Sequence, residues 1–72
     1  MNYLTSIVNA RVEYELKFDK EPKDLYVTQP VLEAILELFG LKTAILYRLY
    51  GKLDYCGMKV WLVESETPIR VN

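Results

Sequence analysis

A single cysteine, Cys56, and no histidine in 72 residues constrain this chain more than any other feature. Small domains that cannot bury a large core add disulfides, a metal or a partner. A lone thiol closes no intrachain disulfide, and without histidine or a second cysteine a structural zinc site lacks its usual ligands. Residues 1–72 have room for one domain, and chains of this size bury only about 60% of the surface exposed on unfolding. The hydrophobic fraction of 51% is high for so small a chain. Self-association is the remaining source of burial, so a homo-oligomer is expected, with a dimer favoured.

Nine basic and ten acidic residues give a formal net charge of −1. The bases are spread from Arg11 to Arg70 without a run, which makes nucleic acid an unexpected partner, since phosphate neutralisation needs clustered cations. The opening "MNYLTSIVNA" lacks the charged start and long apolar core of a signal peptide. The most apolar stretch, "VLEAILELFGLKTAILYRLYG", is interrupted by Glu33, Glu37, Lys42 and Arg48 and does not read as a membrane span. The expectation is a soluble protein of the cytoplasm with no membrane contact. No pattern in the sequence asks for a cofactor.

In "IVNARVEYELKF", Val8, Ala10, Val12, Tyr14, Leu16 and Phe18 alternate with Asn9, Arg11, Glu13, Glu15 and Lys17. Period-2 alternation predicts a long strand with one face buried. "DKEPKD" reads as a loop, and residues 25–27 as a second short strand. Thr28 suits an N-cap, Pro30 the first helical turn and Gly40 the position closing a helix. Val31, Leu32, Ile35, Leu36, Leu38 and Phe39 cover an arc of about 160° on that helix, with Glu33 and Glu37 opposite. The stripe is wide for one small sheet, so Leu36 and Phe39 are candidate contacts for another protein.

Residues 41–51 fit two patterns. As a helix, Leu41, Ile45 and Leu49 align and Gly51 ends it; as a strand, Ile45, Tyr47, Leu49, Leu53 and Tyr55 share a face. The strand pattern is longer and is preferred. Cys56-Gly57 then marks a turn, "MKVWLVE" a return strand with Met58, Val60 and Leu62 inward, and "IRV" a final strand. The expected class is α+β, a small mostly antiparallel sheet with one α-helix packed on one face.

Candidate chemistry is sparse. Cys56 has no histidine to activate it, and its plain reading is a small side chain in a turn. The pairs Glu13/Glu15 and Glu33/Glu37 fall on faces expected to be solvated, and Gly40, Gly51 and Gly57 are too scattered to cradle a phosphate. No catalytic or metal-binding residue is assigned, and the chain reads as a non-enzyme. Trp61, Tyr50, Lys52 and Lys59 form the remaining candidate surface. Large rings among charges dominate protein interfaces, so protein contact is preferred over stacking of single-stranded bases, the alternative.

Together, "DLYVTQPVLEAILELFG" (24–40) and "YCGMKVWLVESETPIRV" (55–71) resemble a pattern of tailed-bacteriophage proteins, including the apical part of capsid subunits. That pattern is a short strand, a Pro-led helix and a strand opening with Gly-x-x-Val. Met58 stands where the capsid pattern usually has proline, and the chain is shorter than a capsid subunit. The resemblance carries over no functional residues. It implies a small structural or accessory protein of a phage or prophage, in the host cytoplasm or the virion, binding another protein.

Overall fold

Leu25 and Val27 are fully buried at the centre of a four-stranded sheet. A computed structural model describes residues 2–72. The elements are α1 (Tyr3–Phe18), β1 (Asp24–Val27), α2 (Gln29–Phe39), α3 (Leu41–Tyr50), β2 (Asp54–Tyr55), β3 (Met58–Leu62) and β4 (Ile69–Val71). The strand order is β2-β3-β1-β4. β1 runs parallel to β3, with Leu25 opposite Val60, and antiparallel to β4, with Leu25 opposite Val71. β2 and β3 form an antiparallel hairpin. The α+β class is as the sequence indicates, with a mixed sheet and three helices in place of one.

A parallel pair cannot be joined by a tight turn, so the chain crosses over between β1 and β3 through α2, α3 and β2. α2 begins at the expected residues. The Thr28 carbonyl accepts from Val31 and Leu32, the Thr28 N–H donates to Pro68 O at 3.1 Å, and Pro30 occupies the first turn. Its inner face buries Val31, Leu32 and Ile35 against Leu25, Val27, Met58 and Val60, with Ile7 from α1 and Leu53 completing the core. At Cys56 (φ 52°) and Gly57 (φ 75°) both central residues of the β2–β3 turn have positive φ, the twist a tight hairpin needs.

Two segments differ from the sequence expectation. Residues 8–18, expected as a strand, lie in α1. Asn2 caps that helix, its Oδ1 accepting from Leu4 N–H at 3.0 Å and from Thr5 N–H at 3.4 Å. Tyr3, Leu4 and Ile7 meet the core at helical spacing, whereas Val8, Val12 and Leu16 of the alternating set are exposed. Residues 41–50 form α3 instead of the preferred strand, closed by Gly51 at φ 67°. Leucine, alanine, lysine and arginine are strong helix formers, and here they outweigh the period-2 pattern. Leu62, expected inward, is exposed at the end of β3.

Ile35 is fully buried between α2 and the sheet, so Ile35→Ala is expected to cost about 3 kcal/mol in denaturant unfolding. A loss below about 1 kcal/mol would contradict this placement of the core.

Candidate functional site

The side chains singled out in the sequence fall on three parts of the fold. Lys59 and Trp61 stand on the sheet face opposite the core, Leu36 and Phe39 on α2, and Tyr50 and Lys52 at and just beyond the end of α3.

Alternation along β1, β3 and β4 turns Leu25, Val27, Met58 and Val60 inward, and so leaves Asp24, Tyr26, Lys59, Trp61 and Arg70 on the outer face. The register places Tyr26 between Trp61 and Arg70. Lys59 Nζ lies 4.3 Å from the Trp61 ring centroid, and the Arg70 guanidinium 4.8 Å from that of Tyr26. Trp61 Nε1 donates to Asp24 Oδ1 at 2.9 Å. Each ring is thus covered by a cation of the same chain, a contact worth about 0.5–1 kcal/mol when exposed. Asp24 and Asp54 flank Lys59 in the register. The face thus carries two acids, Asp24 and Asp54, and two bases, Lys59 and Arg70.

The other candidate chemistry is dispersed. α1 turns Glu13 and Glu15 to different sides, and Glu15 accepts from Arg11 Nε at 2.8 Å. Arg11 Nη1 donates to the Cys56 carbonyl, tying α1 to the hairpin turn, and Glu21 lies 3.8 Å from Nη2. The hydrogen bond to Glu15 raises the guanidinium pKa, and the charges of Glu15 and Glu21 reinforce it. Cys56 is half-buried in the turn. Among the described residues, no three His, Cys, Asp or Glu side chains gather as a metal set, and no helix is long and apolar enough to cross a membrane.

α3 has a different character. None of its residues is buried; Thr43, Ala44 and Tyr47 are half-covered, and Tyr47 packs against the core. Exposure is 78% at Leu41, 47% at Ile45, 44% at Leu46, 69% at Leu49 and 70% at Tyr50. At 100° per residue these five span about 180° of the helix. Between α2 and α3 an open groove runs past Pro30, Glu33, Glu37, Leu41, Ala44 and Arg48, with Leu36 half-buried beneath it. Phe39 is exposed at the end of α2, its ring edge-on to Tyr55 at 5.7 Å.

Sequence reasoning placed Lys59 beside Trp61 but missed Tyr26, Arg70 and Asp24, which β1 and β4 bring in through long-range pairing. It also missed the Leu41–Ile45–Leu49 surface, because the strand pattern was preferred there. The signal for that surface was present in the i, i+4, i+8 spacing. Comparison with protein-family models, curated protein sequences and solved structures gives no match.

Burial pushes the Tyr55 phenol above its ordinary value of 10.0, and the neighbouring Cys56 adds to the shift. A phenol with a raised folded pKa stays neutral in the fold after the unfolded chain has ionised. Its contribution is therefore intact below pH 10 and is lost as pH rises from there through the folded value. Tyr55→Phe is expected to flatten part of the alkaline loss of stability and to remove a late-titrating phenol from the ultraviolet absorbance curve. An unchanged alkaline limb would contradict the burial of this hydroxyl.

Proposed function

We propose that this chain is a non-enzymatic interaction module that self-associates as a dimer through its helical surface. The observation behind this reading is α3, a ten-residue helix with no fully buried residue and five exposed large apolar side chains. A helix that short is marginal alone in water and depends on packing. Among the described residues, thirteen large hydrophobic side chains are exposed and nine hydrophobic residues are buried. Contiguous apolar surface of this kind marks an interface.

A standard interface takes about 800 Å² from each partner. That is about one-seventh of this chain's 5306 Å², within reach of one exposed helix and its flanks. The near-neutral charge selects no strongly charged partner, whereas a second copy presents the same apolar helix. The resemblance to tailed-phage proteins supports a structural or accessory role in a phage or prophage, acting in the host cytoplasm or the virion.

Light scattering after size exclusion tests the proposal. The expected mass is that of a dimer, and Ile45→Glu with Leu49→Glu is expected to give a monomer of unchanged far-ultraviolet circular dichroism. A wild-type chain that stays monomeric at every concentration would overturn it.

A second reading, binding of single-stranded nucleic acid, rests on Trp61 and Tyr26 lying with Lys59 and Arg70 on one exposed sheet face. It predicts salt-sensitive quenching of Trp61 fluorescence by short single strands at low salt. Given the balanced charge of that face, no quenching is expected, and clear salt-sensitive quenching would favour this reading over the first.

A further inference from the structure

The charges on the two exposed helices are segregated. α2 carries Glu33 and Glu37 and no base, whereas α3 carries Lys42 and Arg48 and no acid. Glu33 and Glu37 line the groove between them on the α2 side, and Arg48 lines it on the α3 side. Among the described residues the ion pairs are those of Arg11 with Glu15 and Glu21; Glu33 accepts from Gln29 Nε2 at 3.3 Å, and Glu33, Glu37, Lys42 and Arg48 form no ion pair with another described residue.

Arg48 lies in the last turn of α3, where the dipole favours it, but Glu37 and Lys42 are placed unfavourably. Glu37 lies in the last turn of α2 and Lys42 in the first turn of α3, each at the helix end whose dipole repels its charge. Neither helix compensates, since the last turn of α2 holds no base and the first turn of α3 no acid. Lys42 also sits within the exposed arc of Ile45, Leu46 and Leu49, so whatever covers those side chains must accommodate its ammonium group.

We propose that the groove between α2 and α3 receives α3 of a second copy, about a two-fold axis. Ile45, Leu46 and Leu49 of each copy enter the apolar groove of the other, and Lys42 meets the partner's Glu33 and Glu37. The two-fold axis forms each contact twice. Small side chains at Ala34 and Ala44, with Gly40 between the helices, leave the groove open to a helix. The charge pattern suits a copy of this chain, because the same molecule supplies Glu33 and Glu37 in a groove that also holds Arg48, and an apolar helix whose Lys42 can meet them. This assignment rests on the dimer proposed as the function and specifies its geometry.

Charge reversal followed by mixing tests it. Lys42→Glu and Glu37→Lys each place like charges across the interface, and each is expected to weaken dimerisation by about tenfold in sedimentation velocity. An equimolar mixture of the two variants keeps one wild-type contact and sets opposite charges at positions 42 and 37 of the other, and is expected to associate more tightly than either variant alone. Both substitutions favour their own helix dipole, so circular dichroism should show helix content that is retained or increased, and loss of the dimer then reports the interface. A wild-type dimer unaffected by either reversal, or variants that associate no more tightly when mixed, would overturn the groove assignment while leaving self-association in place. A monomeric wild type would overturn both.

Discussion

The parallel pairing of β1 with β3 is the interaction on which the rest of this structure depends. A parallel neighbour forces a crossover, and the crossover lays α2 over the sheet. Val31, Leu32 and Ile35 thereby land on Leu25, Val27, Met58 and Val60, the central part of the core. The same pairing brings Tyr26 beside Trp61 and so creates the outer face. β4 then pairs with the free side of β1, and the Thr28–Pro68 bond joins that strand to the start of α2.

What that core leaves over is as informative as what it takes in. Two helices and the sheet satisfy each other, and α1 contributes one fully buried residue, Ile7, while Arg11 reaches to the Cys56 turn. α3 packs on α2 through a narrow face and keeps Leu41, Ile45 and Leu49 in water. Burying one such side chain contributes about 1.5–3 kcal/mol, a large share of the total stability of a small domain.

Much of this was legible in the sequence, and the failures share one cause. The Thr28–Pro30 start and Gly40 end of α2, the Cys56-Gly57 turn, β3 and β4 all stand where local signals put them. α1 and α3 were hidden because their apolar residues exceed what the core uses. In α1 the alternation of Val8, Val12 and Leu16 belongs to exposed positions, while the residues that decide the structure are Asn2 at the cap and Tyr3, Leu4 and Ile7 behind it. In α3 the wide apolar arc satisfies a strand pattern and a helix pattern alike. Periodicity identifies an element only when its apolar residues face that chain's own core. Of the candidate site, the Lys59–Trp61 pair was visible as alternation on one strand, but Tyr26 and Arg70 join it only through pairing between distant segments.

The central claim is that a second copy completes the burial of this fold, so that folding and association are linked. Denaturant unfolding measured across a wide range of chain concentrations tests it most directly, because a dimer's stability depends on the concentration of its protomers. The account predicts a midpoint that rises steadily with concentration. A midpoint constant over the whole range, in a chain that unfolds cooperatively as a monomer, would contradict it.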